Sequence, residues 1–196
     1  MLKVHSIESF GTHEWPWIRF VLFLQWCMFK CLYCHNPDTI AMSGWKEIST
    51  NDIVSQVINM KSYFNHGKWW FTVSWWEPLL QAKDLIPLFE LLKKEWINIA
   101  VDTNGFPWND DVKKAVDLAD LFLVDIKHIN NDWHKKLTGQ SNDNTLRFIY
   151  YLESQNKAMW IRVVLVPWWS DQLENLEEIG KRYWWYKSIE RIEILP

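Results

Sequence analysis

Short apolar runs alternate with amphipathic stretches along almost the whole chain. Runs that have the length of a strand, but lack the polar–apolar alternation of a half-exposed one, occupy segments 18–24, 71–74, 97–101, 121–126, 159–166 and 189–195. The intervening segments carry apolar residues near helical spacing, which predicts helices over residues 50–64, 81–95, 110–118, 145–155 and 171–183, with a further one near Trp133. Strand and helix therefore alternate about six times.

This alternation predicts an α/β fold with a parallel sheet. Strands that are apolar throughout are typical of parallel sheets, whose two faces are both covered, and the helical segments supply the crossovers. Right-handed crossovers would curl six strands into a partial (β/α)6 barrel. A chain of 196 residues suits one domain, and no linker, repeat or low-complexity stretch divides it. We therefore expect a single domain over residues 1–196.

Polar side chains cluster at or just beyond the ends of the predicted strands. The residues concerned are Cys27, Glu77, Asp102, Asn104, Asp125 and Lys127. In parallel α/β architectures the carboxyl ends of the strands meet at one edge of the sheet, and the active site forms there. The pattern therefore predicts an active site at this edge.

The three cysteines of the chain, Cys27, Cys31 and Cys34, have the spacing C-x-x-x-C-x-x-C. Three thiolates within one loop can hold three corners of an iron–sulfur cube and leave the fourth iron without a protein ligand. Together with His35 they could instead form a Cys₃His zinc site, which would be structural. Because the number of cysteines is odd and they are clustered, we do not expect a disulfide framework. We expect the protein to reside in a reducing compartment.

The charge and hydropathy of the chain argue against two classes of partner. A net charge of −3, from 21 basic and 24 acidic residues, gives no electrostatic case for a nucleic-acid or membrane partner. No apolar run approaches the roughly 20 residues of a membrane helix. The first ten residues carry charge and lack the apolar segment of a signal peptide. We expect a soluble, cytoplasmic protein.

Tryptophan is abundant and glycine is scarce. The chain contains sixteen tryptophans and six glycines, whereas ordinary usage near 7% would give roughly fourteen glycines in a chain of this length. Tryptophans can form a stacking platform for single-stranded nucleic acid, but that use requires a basic groove, which this sequence does not predict.

The chain is similar to the radical S-adenosylmethionine (SAM) enzymes, and within them it resembles the pyruvate formate-lyase activating enzymes. The cysteine motif, with an aromatic residue before its last cysteine, carries the resemblance together with segments 7–12, 33–36, 102–105, 125–127 and 189–196. The likeness implies a partial (β/α)6 barrel of the radical SAM type. No cysteine lies between Cys34 and Glu77, so one cluster and no auxiliary domain are implied.

The resemblance also implies the chemistry. Cys27, Cys31 and Cys34 would hold a [4Fe–4S] cluster, and SAM would chelate the unique iron. One electron, from a flavodoxin or ferredoxin-type donor, would cleave SAM to methionine and a 5′-deoxyadenosyl radical. This radical would take a hydrogen atom from a glycine of formate acetyltransferase, a glycyl radical enzyme, which is the implied protein substrate.

Individual residues take roles from the same resemblance. Lys127 would face the SAM carboxylate, while Asp102 and Asp125 would frame the site and could accept a monovalent cation. Tyr33 and its neighbours would place backbone beside the adenine. The full set of residues expected at the SAM site is Tyr33, Cys34, His35, Asn36, Trp76, Glu77, Asp102, Asn104, Asp125, Ile126, Lys127 and Arg162.

Tryptophan stands at twelve positions where the family has glycine. These are Trp15, Trp17, Trp26, Trp45, Trp69, Trp70, Trp75, Trp76, Trp96, Trp168, Trp184 and Trp185. Glycine is used where φ is positive or where backbone approaches a ligand, and a side chain in the left-handed region costs roughly 1–2 kcal/mol. Trp76 would occupy the space of the SAM methionine. We therefore expect impaired activity, with an inert scaffold as the alternative.

The closing segment with which the family ends is expected to be missing.

Overall fold

The computed structural model describes residues 1–11, 18–60, 70–74 and 77–196. Its strands are β1 Leu2–Gly11, β2 Arg19–Leu24, β3 Lys46–Ile48, β4 Trp70–Ser74, β5 Asn98–Thr103, β6 Leu121–Asp125, β7 Ala158–Val164 and β8 Ile189–Leu195. Its α-helices are α1 Thr50–Asn59, α2 Ala82–Lys94, α3 Asp110–Leu118, α4 Asn131–Thr138, α5 Asp143–Ser154 and α6 Leu173–Tyr183. Within these described ranges, no helix has the length and apolarity needed to cross a bilayer.

The strands form one sheet in the order β3-β1-β2-β4-β5-β6-β7-β8. The six strands expected from the apolar runs are β2 and β4 to β8; they are neighbours in chain order, and every neighbouring pair is parallel. Helices α1, α2, α3, the pair α4–α5, and α6 connect them in turn. In the part of the chain described, β3 and β8 form the two edges, so the sheet is open. The predicted partial (β/α)6 barrel is confirmed.

Two antiparallel strands, β1 and β3, extend the sheet beyond β2 and were not predicted. β1 pairs with β2, with Val4 opposite Leu24, and β3 pairs with the first residues of β1. At the start of β1 the buried residues Leu2 and Val4 flank the half-buried Lys3. Such alternation is typical of an antiparallel strand with one covered face, whereas continuous apolar runs select strands buried on both faces. β3 is only three residues long, too short to show any period.

The helices agree with the predicted segments apart from their ends. α1 begins where the Ser49 hydroxyl accepts a hydrogen bond from the Asp52 backbone N–H at 3.1 Å; its predicted end, at residue 64, lies outside the described residues. α2 begins one residue later than expected because a 3₁₀ turn, Pro78–Gln81, precedes it. The predicted helix near Trp133 is α4.

The two faces of the sheet have different surroundings. Residues such as Phe122 and Val124 of β6 belong to the main apolar core, which also contains buried apolar residues of α1, α2, α3, α5 and α6. Their neighbour Leu123 belongs to a separate small cluster. Because alternate residues of a strand point to opposite faces, Asp125 lies on the same face as Leu123, the concave one. The polar strand-end residues therefore lie above a thin apolar layer inside the barrel.

Three of the predicted glycine positions show why glycine is usual there. Trp26, Trp96 and Trp168 have φ angles of 89°, 61° and 64°, in the left-handed region that disfavours any residue with a side chain. Trp45, Trp184 and Trp185 do not have positive φ. Trp70 is the first residue of β4, and Trp15, Trp17, Trp69, Trp75 and Trp76 lie outside the described residues. Backbone strain therefore accompanies some of the replacements and not others.

Trp96 ends helix α2 in a Schellman motif. Its N–H donates to the carbonyl of Lys93 at 3.0 Å, and the N–H of Ile97 donates to the carbonyl of Leu92 at 3.1 Å. This motif places one residue in the left-handed region, and that residue is usually glycine. The Trp96 side chain is 91% exposed, so it gains little burial to offset the cost.

Replacing Trp96 with glycine is expected to stabilise the protein by about 1 kcal/mol, because the left-handed conformation no longer carries a side chain. Asn156 ends α5 in the same way, with φ 52°, and supplies a matched control. Asparagine tolerates this conformation, so Asn156→Gly should change the free energy of unfolding far less. Urea denaturation measures both changes. Destabilisation by Trp96→Gly would contradict the strain assigned to this position.

Candidate active site

A cavity of about 350 Å³ lies inside the barrel, at the carboxyl ends of the parallel strands. Strands from both sides of the open sheet contribute to its wall. The predicted site residues that line it are Cys27, Cys31, Tyr33, Cys34, His35, Asn36, Asp102, Asn104, Asp125, Lys127 and Arg162. The structure therefore brings together residues from the cysteine loop, β5, β6 and β7, which are far apart in sequence.

Two predicted site residues, Glu77 and Ile126, do not line the cavity. A third, Trp76, lies outside the described residues. Glu77 is buried, and its carboxylate accepts hydrogen bonds from Thr103 and Asn104 rather than lining the cavity. Ile126 belongs to the main core. A direct role of these residues in binding stays a prediction, whereas Glu77 has a clear structural role in holding the turn after β5.

The cysteine loop is attached to the carboxyl end of helix α4. The backbone N–H of Lys30 donates to the carbonyl of Thr138 at 2.8 Å, and that of Leu32 donates to the carbonyl of Leu137 at 3.0 Å. The last carbonyls of a helix have no partner inside the helix, so these bonds satisfy both elements. Phe29 of the loop also packs edge-on against His134, with ring centroids 5.2 Å apart. The loop is therefore positioned by contacts that do not use its sulfur atoms.

The three thiols are free cysteines whose ionisation is disfavoured by burial. Burial raises the pKa of Cys27 to about 12 and that of Cys34 to about 11, and it also raises the pKa of Cys31. Two donors point at the Cys27 sulfur: the Phe29 N–H at 3.3 Å and the Asn104 amide at 3.6 Å. Such donors are typical around the thiolate ligands of iron–sulfur clusters. The donor set therefore fits a cluster that replaces the thiol protons.

The described residues do not include three His, Cys, Asp or Glu side chains grouped as ligands of a single ion. In a cubane cluster each cysteine binds a different iron, so three sulfurs can line one cavity without converging on a common point. A Cys₃His zinc site would require that convergence. The geometry thus gives no support to the zinc alternative.

A row of alternating charges crosses the cavity wall. Arg162 bridges two aspartates: its Nε lies 3.2 Å from Asp125 Oδ1, and its Nη2 lies 3.2 Å from the Asp102 carboxylate. Lys127 Nζ lies 2.8 Å from the other oxygen of Asp125. At the far end, the Ser74 hydroxyl donates to Asp102 Oδ2 at 2.8 Å. The sheet register creates this row, since Arg162 and Asp125 are directly opposite on β7 and β6.

The ion pairs of this row determine how its carboxylates and its ammonium group ionise. Burial opposes the charge on Asp125, but Lys127 and Arg162 outweigh it and lower the pKa of Asp125. Burial likewise opposes the charge on Lys127, yet Asp125 raises the pKa of Lys127 above its usual value. For Asp102, burial raises the pKa, and Arg162 acts in the opposite direction. Lys127 and Asp125 are therefore a firmly ionised pair at neutral pH.

Sequence reasoning missed some of the cavity wall. Ser74 ends β4 and contacts Asp102, and Thr103 follows Asp102 on β5; both stand at strand ends, which was the available signal. Glu8 and Gly11 also line the cavity. They belong to β1, which the apolar-run pattern did not identify, so their place in the site could not be foreseen from it.

Comparison with known proteins gives the family. The sequence profile of the Radical SAM superfamily matches residues 21–179. The chain belongs to this superfamily. A [4Fe–4S] cluster and SAM are the cofactors that membership implies. Three free thiols line one cavity, which agrees with binding of the [4Fe–4S] cluster.

Curated relatives place the chain more narrowly within the radical SAM superfamily. It is 38% identical over 196 residues to the pyruvate formate-lyase 1-activating enzyme of Escherichia coli K12, which covers 99% of this chain and 80% of that protein. It is 40% identical over 205 aligned positions to the pyruvate formate-lyase-activating enzyme of Staphylococcus aureus USA300, covering 100% of this chain and 82% of that protein. The chain therefore also belongs to the family of these activating enzymes.

A solved structure bound to SAM shares the fold. Streptococcus suis SuiB, in a crystal structure bound to SAM, superposes with a TM-score of 0.68 at 15% identity, over 87% of this chain and 38% of that one. At this level of identity the likeness concerns the fold alone. It agrees with the partial barrel described above, whose sheet is open.

The charged row gives this radical SAM cavity a specific binding capacity. Two anions and two cations alternate along it, and Lys127, the cation at one end, is placed to face an anionic group of a ligand. Tyr33 stands beside Lys127, whose Nζ lies 5.7 Å from the centre of the phenol ring. The Tyr33 hydroxyl is buried and makes no hydrogen bond within the described part of the chain. A buried hydroxyl of this kind favours a polar ligand that would supply its partner.

Proposed function

We propose that this chain activates pyruvate formate-lyase, a formate acetyltransferase, by generating a glycyl radical in it through reductive cleavage of SAM. The observation that carries the proposal is that Cys27, Cys31 and Cys34 line the same cavity as the charged row that ends at Lys127. When bound, the [4Fe–4S] cluster supplies one electron to SAM, which gives methionine and a 5′-deoxyadenosyl radical that removes a hydrogen atom from a glycine of the partner. The names of the curated relatives support this reading.

The residues of the chain have separate tasks in this proposal. Cys27, Cys31 and Cys34 hold the cluster. Lys127 binds the SAM carboxylate, as the firmly ionised cation of the row, and the buried Tyr33 hydroxyl donates to a polar atom of the same ligand. The barrel wall excludes water from the reacting atoms, which protects a radical from unwanted hydrogen donors.

The two aspartates are proposed to frame the SAM site and to bind a monovalent cation. Asp102 and Asp125 are both held by Arg162 in the structure. Each carboxylate has lone pairs beyond those that Arg162 uses, so a further cation can bind beside the guanidinium. A flavodoxin or ferredoxin-type protein of the cytoplasm is proposed as the electron donor, because the cluster takes up electrons one at a time.

Anaerobic reconstitution of the whole chain, followed by metal and sulfide analysis, tests the proposal. About four irons and four sulfides per chain are expected for a [4Fe–4S] cluster. One zinc ion without sulfide would identify a zinc module instead. Addition of SAM should then change the electron paramagnetic resonance spectrum of the reduced cluster. An unchanged spectrum would identify a scaffold that holds a cluster but does not bind SAM.

Replacing Lys127 with methionine is expected to weaken SAM binding by about 10- to 100-fold, because a buried charge-assisted bond to the ligand carboxylate is lost. Lys127→Arg keeps the charge and should retain most of the affinity. Lys136 supplies a matched control, since it is exposed and its ammonium lies over the Trp133 ring; Lys136→Met should leave affinity unchanged. Titration of SAM into the reconstituted proteins measures all three. Equal affinities for Lys127→Met and the parent chain would remove Lys127 from the site.

A further inference from the structure

Asn104, in the turn after β5, has every polar group of its backbone committed. Its N–H donates to Glu77 Oε2 at 3.0 Å, and its carbonyl accepts from the Thr145 hydroxyl at 2.6 Å. Its side-chain Oδ1 accepts from the N–H of Phe106 at 2.9 Å. The residue is 3% exposed. Neither its backbone nor its amide is therefore free to rotate without breaking a hydrogen bond.

These contacts fix which end of the amide faces the cysteine loop. Since Oδ1 accepts the Phe106 N–H, the other atom, Nδ2, is the one that points away from the turn, and it lies 3.6 Å from the Cys27 sulfur. Sulfur is a weak acceptor in a thiol, but a thiolate ligand carries charge and attracts such a donor more strongly. The amide is thus oriented toward the most buried of the three thiols.

The surrounding turn is built to hold this orientation. Glu77 accepts the Thr103 hydroxyl as well as the Asn104 N–H, and the same Thr103 oxygen accepts from the N–H of Gly105 at 2.9 Å. Gly105 has φ 68°, and a Cβ on it would lie 2.9 Å from the Phe148 ring. Only glycine fits that place without strain. Glu77 and Gly105 therefore position Asn104, which in turn reaches the sulfur.

We propose that Asn104 is a positioning residue that raises the reduction potential of the cluster by donating its amide N–H to the Cys27 sulfur. Reduction adds negative charge, part of which lies on the cysteine sulfurs, and a nearby donor stabilises that charge. Hydrogen bonds to sulfur are among the features that set cluster potentials. The inference rests on the proposed function, because it requires the cluster to be held by Cys27.

Two substitutions test the inference while they keep the turn. Asn104→Ser and Asn104→Asp both retain a side-chain oxygen that can accept the Phe106 N–H, since serine and aspartate form the same kind of turn. Neither places an N–H at the sulfur, and only the aspartate adds charge. Thr145→Val is the control: it removes the bond to the Asn104 carbonyl and leaves the side-chain amide untouched.

Redox titration of each reconstituted protein, monitored by electron paramagnetic resonance, is the measurement. We expect the equilibrium constant for reduction to fall about tenfold in Asn104→Ser, which for one electron corresponds to 59 mV. A larger fall is expected in Asn104→Asp, and none in Thr145→Val. Unchanged potentials in both Asn104 variants would overturn the inference and leave the proposed function standing. Failure of both to take up iron would overturn it as well, since Asn104 would then be needed for assembly. Failure of the parent chain to take up iron would refute the proposed function itself.

Discussion

Replacing Cys31 with serine is expected to abolish both the cluster and the activity of the protein. A hydroxyl is a poor ligand for iron in a site built for soft thiolates, and it stays protonated at neutral pH. With one of three protein ligands gone, the remaining two cannot hold a cubane that also keeps one iron open. Iron content should fall close to zero, and glycyl-radical formation in the partner should fall by more than about 100-fold. Iron analysis and spin quantification of the partner measure these changes.

His35→Ala is the matched control for this loss. His35 lines the same cavity, four residues beyond Cys31, and it is the fourth ligand of the zinc alternative. In a cluster protein its removal should leave the iron content near that of the parent chain. If both variants instead lost one bound zinc ion per chain, the cysteines would form a mononuclear site. The pair of variants therefore separates the two chemistries with one measurement.

Replacing Glu77 with alanine is expected to destabilise the fold by about 3 kcal/mol. Three donors depend on its buried carboxylate: the N–H of Leu79 at 3.0 Å, the N–H of Asn104 at 3.0 Å and the Thr103 hydroxyl at 2.7 Å. An unsatisfied buried donor costs roughly 1–3 kcal/mol, and the costs of neighbouring groups are not additive. Urea denaturation at pH 7 measures the loss. An unchanged free energy of unfolding would mean that water reaches all three donors.

Glu77→Gln separates the charge of this residue from its hydrogen bonds. Burial raises the pKa of Glu77 to about 7, from an ordinary value of 4.5. The protonated form is thus favoured by folding: its stabilisation is fully present below pH 4.5 and is lost as the pH rises through 7. The shift corresponds to about 3 kcal/mol of unfolding free energy between these limits. Glutamine cannot titrate, so the variant should lack this decline. Parallel pH profiles for the two proteins would contradict the assigned shift.

The parallel part of the fold could be predicted because its central strands are mostly apolar on both faces; the edge strand β8, which carries Glu190, Arg191 and Glu193, is an exception. A segment such as 121–126 can be satisfied only in the middle of a covered sheet, and the helices between such segments leave little choice of topology. β1 could not be found in this way, since Lys3 interrupts the apolar residues at its start. The pairing of β1 with β2 depends on contacts between strands that the local pattern does not encode.

The site residues could be predicted where their place at the end of a strand fixes the direction of the side chain. They could be predicted less well where the direction depends on other contacts. Asp102 and Asp125 come at the ends of neighbouring parallel strands, so their convergence follows from topology. The bridge that Arg162 makes between them depends on the register of β7 against β6. Glu77 also follows a strand, but the 3₁₀ turn after it directs its carboxylate toward the β5 turn. Its orientation is a property of the folded backbone, which residue type does not specify.

The backbone N–H groups of Lys30 and Leu32 bond to the last carbonyls of α4. The shape of the cysteine loop therefore depends on these bonds and not on a bound cluster alone. In many small metalloproteins the metal organises its own ligands, and its removal unfolds the chain. Here the loop is held to α4 by backbone hydrogen bonds in which no sulfur takes part. We therefore expect a protein that has lost its cluster to oxygen to stay folded, and to take up a new cluster without refolding.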